Sequence, residues 1–165
     1  RAVTGDCGFM GYHQRRLSKA LPVPVFFFSL LQIPLVLTMI GQGAKVGVVT
    51  ADSTRLDSAL LTEVGVAEAG RVAVAGLQDS PSFYQAAIEE TGTLDAEAVE
   101  AEVVSAAADL AAREPSVKAV LLECSMLPPY AAAVQEAVHL PVFDFVTMID
   151  YVFSAVVRRR FSGFM

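Results

Sequence analysis

The pattern Ala-Val-x-x-acid-Cys occurs twice in this chain, as Ala2-Val3-Thr4-Gly5-Asp6-Cys7 and as Ala119-Val120-Leu121-Leu122-Glu123-Cys124, and it constrains the fold more than any other feature. The chain has two cysteines, and both end this pattern. The register extends downstream. Val23-Pro24-Val25-Phe26 and Leu140-Pro141-Val142-Phe143 follow their cysteines at the same distance, Phe28 matches Phe145, and every pair shares an offset of 117. A strand ending in a thiol, then a helix, then a Pro-Val-Phe strand, met twice, predicts two pseudo-symmetric α/β halves with parallel sheets, each presenting one thiol to the cleft between them.

Composition fits that class. With 165 residues, 54% of them hydrophobic, the chain can bury a substantial core, and its length suits one domain or one and a half small ones. A net charge of −6 argues against nucleic acid and anionic membrane as partners, since both require a basic face. The triplet Arg158-Arg159-Arg160 ends an apolar periodic segment and is expected to sit at the carboxyl end of a helix. Residues 23–40 are apolar enough to raise the question of a membrane span, but Pro24, Ser29, Gln32, Pro34 and Thr38 interrupt them, so a strand and a short core helix are expected instead. Two cysteines are too few for a disulfide scaffold and no secretory signal is visible, which points to a reducing cytoplasm.

Periodicity gives the order of elements. Strands are expected at residues 2–6, 23–28, 46–50, 72–75, 119–123 and 142–145, with helices at 8–20, 30–40, 56–64, 81–90, 93–113, 130–138 and 148–160. The β-α-β alternation from Lys45 onward is the mark of a parallel sheet. In the long helix Val99, Val103, Ala106 and Leu110 keep a helical period and predict its buried face. Gly41-Gln42-Gly43 reads as a helix C-cap and as the boundary between halves. The expected division is 1–43 as the remainder of the first half, 44–147 as the second, and 148–165 as a terminal helix packing back on the first. Subtracting the offset from Lys45 puts the equivalent start of the first half about 70 residues before Arg1. The chain is thus expected to be a fragment or processed product, with an exposed sheet edge that favours low stability or association with another copy.

The chemistry centres on the thiols. Ligands of doubly wound sheets bind at the carboxyl ends of strands, where both cysteines fall. A thiol at the amino end of a helix has its thiolate stabilised by the dipole and by unpaired N–H groups, and the same N–H groups can hold a carboxylate. Gly5 and Gly8 flank Cys7 and allow backbone to approach a ligand, while Asp6 and Glu123 should point to the face opposite the thiols. Two thiols across a cleft suit inversion at a carbon bearing an acidic hydrogen, one removing the proton while the other delivers one. His13 and His139 read as solvent-facing or capping, and no cluster has metal-ligand spacing, so neither metal nor cofactor is expected. Gly41-x-Gly43 precedes a strand and so is not a dinucleotide loop. Asp144 reads as mid-strand, facing the cleft or satisfied at the strand end, and Ser29 and Ser53 as loop donors to substrate or turn residues.

Thr4-Gly5-Asp6-Cys7-Gly8-Phe9, Ser29-Leu30-Leu31-Gln32, Lys45-Val46-Gly47-Val48-Val49-Thr50 and Leu122-Glu123-Cys124-Ser125-Met126-Leu127-Pro128-Pro129-Tyr130 resemble the aspartate/glutamate racemase superfamily across essentially the whole chain. The resemblance implies cofactor-independent racemisation or epimerisation of an amino acid or related α-substituted carboxylate, with Cys7 and Cys124 as acid and base. It also implies a substrate carboxylate held around Gly8, Phe9, Thr50 and Ser125, to which the loop position adds Ser29. The chain departs from the amino-acid racemases of that superfamily. Cys7-Gly8-Phe9 stands where they carry Cys-Asn-Thr, and Cys124-Ser125-Met126 where they carry Cys-Thr followed by His or Glu. Met126 cannot serve as acid, base or ammonium partner, so glutamate and aspartate are doubtful substrates. A thiol-dependent isomerase or decarboxylase of the same superfamily, and a non-catalytic carboxylate-binding protein, are the alternatives.

Overall fold

Two runs apolar at nearly every position, β3 (Lys45–Thr50) and β5 (Val117–Leu122), pair in parallel at the centre of the computed structural model, which describes residues 1–5 and 7–163. Strands buried on both faces need no alternation, and Val46, Val48, Val49, Ala119, Val120, Leu121 and Leu122 are essentially inaccessible. β4 (Val72–Gly76) flanks β3 and β6 (Val142–Phe143) flanks β5, giving a parallel sheet of order β4-β3-β5-β6. A second sheet of two parallel strands, β1 (Val3–Thr4) and β2 (Val25–Phe26), pairs Val3 with Val25 and Thr4 with Phe26. The expected α/β architecture of parallel sheets in two parts is the one observed.

Helices cover both faces of the larger sheet. On one, Val46, Val48, Ala119 and Leu121 pack with Ile33 and Val36 of α2 (Ile33–Met39), Leu60 and Leu61 of α3 (Ser58–Glu63), and Phe27 and Phe28 after β2. On the other, Val49, Val120 and Leu122 pack with α5 (Ala96–Arg113) and with Val134 of α6 (Ala131–Val138). Each such large apolar side chain contributes roughly 1.5–3 kcal/mol by leaving water. The face of α5 differs slightly from the expected one: Val99, Val103, Ala107 and Leu110 are buried, with Ala107 replacing Ala106.

Several boundaries depart from the sequence expectation for local reasons. The helix expected over 8–20 is a 3-10 segment, Gly8–His13, continued by α1 (Gln14–Ala20). The helix expected over 81–90 is a single turn, α4 (Pro81–Phe83), leading into a π-helical turn at Tyr84–Ile88. The last strand stops at Phe143, because Asp144 begins the final helix, α7 (Phe145–Val156): its carboxylate accepts the Thr147 N–H while the Thr147 hydroxyl bonds back to the Asp144 N–H. Asp144 is therefore a helix cap and not a mid-strand residue. α7 ends before Arg158, so the basic triplet lies beyond the helix it was expected to finish. Gly41 has the left-handed φ of 81° expected at the end of α2. His139, exposed, takes φ 54° at the end of α6.

Candidate active site

Both cysteines follow the carboxyl end of a parallel strand and open a helical turn, as the alternation of elements requires. Cys7 is exposed, with extended backbone (φ −116°, ψ 125°), and its carbonyl accepts the Met10 N–H at 3.0 Å at the head of the 3-10 segment Gly8–His13. Asp6 lies outside the described residues. The segment after Cys7 is held from beneath. Gly11 leaves no room for a Cβ, which would collide with the Phe28 ring and Leu60, and the Tyr12 hydroxyl donates to Asp57 at 3.0 Å. Gly5 has its own steric reason: a Cβ there would meet the Phe27 ring at 2.5 Å, so its smallness accommodates the neighbouring strand. Gln14 fastens α1 to that strand, donating to the Val25 carbonyl at 2.7 Å and accepting the Phe27 N–H at 3.1 Å.

Cys124 is half-buried against the core on the α5 side, and its carbonyl accepts the Leu127 N–H at 3.0 Å in the turn before the 3-10 helix Pro128–Tyr130. Neither thiol is in a disulfide. Ser125 is half-buried and Met126 is exposed. Glu123, one residue earlier, faces the other side of the sheet as strand alternation requires. Its carboxylate oxygen Oε2 accepts the Thr50 hydroxyl at 2.8 Å and its carboxyl also accepts the Ala51 N–H. Burial pushes this carboxyl above the ordinary glutamate range, against the opposing pull of those two hydrogen bonds.

Ser29 and Thr50, proposed from sequence as substrate donors, are both fully buried. The Ser29 hydroxyl donates to the Glu123 carbonyl at 2.9 Å, and the Thr50 hydroxyl to the Glu123 carboxylate. Ser53 donates its N–H to Gln78 at 3.1 Å. Phe9 is half-buried beside Cys7, and the Arg55 guanidinium lies 5.5 Å from its ring centroid while pairing with Asp52 at 3.4 Å. A positive charge thus stands over an aromatic ring two residues from a thiol. Among the described residues no three His, Cys, Asp or Glu side chains are grouped as metal ligands would be.

Gln32, to which sequence reasoning gave no site role, and Ser29 join the two sheets at their carboxyl ends. Gln32 donates to the Asp144 carbonyl at 2.8 Å and accepts the Thr147 hydroxyl at 3.0 Å, so the turn after β2 is bonded to the head of α7. Ser29 bonds the same turn to the end of β5. The available signal for Gln32 was a lone glutamine inside an apolar run. No helix among the described residues is long and apolar enough to cross a membrane.

Comparison with known proteins agrees with this architecture. Residues 7–149 match the profile of Asp/Glu/Hydantoin racemase. Among solved structures, allantoin racemase from Pseudomonas fluorescens superimposes with a TM-score of 0.58 at 20% identity, covering 99% of this chain and 70% of that one. Glutamate racemase isoform RacE1 from Bacillus anthracis gives 0.55 at 12% identity, covering 94% and 58%. In sequence, a dimethylsulfoniopropionate lyase from Durusdinium sp. clade D is 34% identical over 154 residues, which are 90% of this chain and 50% of that protein. Dimethylsulfoniopropionate lyase 5 from Emiliania huxleyi (strain CCMP1516) is 31% identical over 159 residues, 93% of this chain and 31% of that protein. The chain thus spans half or less of the length of these two relatives. The profile match over residues 7–149 shows that the chain belongs to the Asp/Glu/hydantoin racemase family.

Proposed function

We propose that this chain carries the thiol chemistry of a lyase acting on a β-sulfonium carboxylate of the dimethylsulfoniopropionate type. The observation that carries the reading is the similarity of about nine-tenths of the chain to proteins named dimethylsulfoniopropionate lyases, at 31–34% identity. A racemase and such a lyase share their first step, removal of a proton from the carbon next to a carboxylate. They differ in the second step. In the lyase the electron pair left at that carbon forms a double bond to the β-carbon, the bond from the β-carbon to sulfur breaks, and the sulfide leaves neutral with that bond's electrons. The products are acrylate and dimethyl sulfide, and the abstracted proton rests on the base.

The departures from the amino-acid racemase pattern fit this substrate. Dimethylsulfoniopropionate has no α-ammonium group, and Met126 supplies no charge with which to hold one. Arg55, which stands over the Phe9 ring two residues from Cys7 and pairs with Asp52, offers a positive charge for the substrate carboxylate. In this reading Cys124, on the strand end held by Glu123, and Cys7 are the two thiols available as base and acid. Racemisation of a chiral carboxylate is the second reading, favoured by the matched positions of the two thiols.

The test is incubation of the purified protein with dimethylsulfoniopropionate, measuring dimethyl sulfide in the headspace and acrylate in solution, alongside a panel of D and L α-substituted carboxylates followed by optical rotation. Equimolar dimethyl sulfide and acrylate are expected, reduced by about 10²- to 10⁴-fold in Cys124→Ser. Loss of optical rotation in the panel with no dimethyl sulfide would overturn the lyase reading in favour of the racemase.

A further inference from the structure

We propose that Glu123 is the positioning residue of the second thiol: through its carboxyl and its carbonyl it ties the end of β5 to β3 and to the turn after β2, and so sets how Cys124 faces the cleft. The proposal rests on the reading of Cys124 as a reacting thiol. Three elements meet on this one residue. Its N–H donates to the Val49 carbonyl at 2.8 Å, extending the ladder with β3 past the end of β5. Its carboxyl takes the Thr50 hydroxyl at 2.8 Å and the Ala51 N–H, and its carbonyl takes the Ser29 hydroxyl at 2.9 Å from 94 residues away in the chain.

A purely structural role would not call for an acid here. The two preceding residues, Leu121 and Leu122, fill the same strand with apolar side chains, and a buried carboxyl costs free energy that a packed leucine does not. With 2% of its surface exposed, Glu123 has no route to a substrate, so its effect must pass through the groups it holds. Chief among them is the backbone immediately before Cys124. The Glu123 side chain is held by Thr50 while Cys124, the next residue, packs on the α5 face, so restraint of one residue limits the direction of the next. Reacting groups tolerate little displacement, and support from such buried bonds is how a fold keeps them in place.

Titratable residues near the ends of the strands around Glu123 include Cys124 after β5, Asp52 after β3 and Asp144 after β6, while Lys45 and Lys118 lie at the opposite ends of β3 and β5. Asp52 and Asp144 are engaged in their own helix-capping bonds, with Thr54 and Thr147 respectively.

Because the chain has two cysteines, labelling with 13C at the cysteine Cβ gives two signals, and Cys7 serves as an internal control. The expected result is that the Cys124 signal of the wild type shows a pH step above the ordinary glutamate range, that Glu123→Gln lacks it, and that the Cys7 curve is the same in both. In turnover, Glu123→Ala is expected to lower kcat by about 10²-fold with KM held within about threefold, and Glu123→Gln, which keeps an acceptor for Thr50, to recover about tenfold of it. Superimposable Cys124 curves in wild type and Glu123→Gln, or an unchanged kcat in Glu123→Ala, would overturn the proposal. If Glu123→Ala does not fold, the titration of Glu123→Gln decides alone. A Cys124 titration that depends on Glu123 in a protein releasing no dimethyl sulfide would sink the lyase reading and leave this one standing.

Discussion

A carboxyl group shut away from water at the end of an apolar strand makes stability depend on pH in a definite direction. Burial raises the folded-state pKa of Glu123 above the ordinary glutamate value, so the folded chain holds this proton more tightly than the unfolded chain does. The stabilisation that results is complete below the ordinary glutamate range and is lost as pH climbs to the raised value, beyond which a constant penalty remains. Glu123→Gln cannot ionise. Its stability relative to wild type should therefore rise with pH across that window and level off above it, as urea unfolding at a series of pH values will measure. Parallel stability curves for the two proteins would show that the carboxyl does not titrate in this way. The sequence disclosed that Glu123 turns away from the thiol face, since alternation along a strand is local. It did not disclose the partners on that face, because Thr50 and Ser29 reach Glu123 from distant parts of the chain. Their hydroxyls looked available to a substrate only while those contacts were unseen.

Secondary elements were legible in proportion to their length and apolarity. β3 and β5 read directly, because a strand buried on both faces leaves an unbroken apolar run. The two-residue strands β1, β2 and β6 carry a weaker signal, which the repeat register reinforced. Where β6 gives way to α7, the alternation of Val142-Phe143-Asp144-Phe145 continued the strand pattern through a residue that in fact caps the helix. The Asp144-x-x-Thr147 cap does more than start α7. Gln32 bonds to the carbonyl of one member and the hydroxyl of the other, so the cap is also the contact between this helix and the turn after β2. Asp144→Ala removes the acceptor for the Thr147 N–H and should cost about 1–2 kcal/mol. For a chain of this size that is a fall in Tm of roughly 2–4 °C for each kcal/mol. Thermal unfolding followed by circular dichroism measures it, and an unchanged Tm would mean that α7 is held by its apolar face alone.

At the scale of the whole molecule the proposed chemistry requires one relation, that the carboxyl ends of the two sheets bring Cys7 and Cys124 to the same cleft. The repeat offset implies it, since equivalent strands place equivalent side chains at equivalent ends. The bonds from Ser29 to Glu123 and from Gln32 to Asp144 support it, by joining the turn after β2 to the residues that follow β5 and β6. Composition and spacing do not separate racemisation from elimination, because both begin with removal of a proton beside a carboxylate. The measurement that tests the central relation most directly uses no substrate. The purified protein is treated with a short bis-thiosulfonate reagent at equimolar concentration, and the product is digested and mapped by mass spectrometry without reduction. One reagent is expected to bridge Cys7 and Cys124 within a single chain, with bridging abolished in either Cys→Ser variant. Separate adducts on the two cysteines, with no bridged peptide, would contradict a shared cleft.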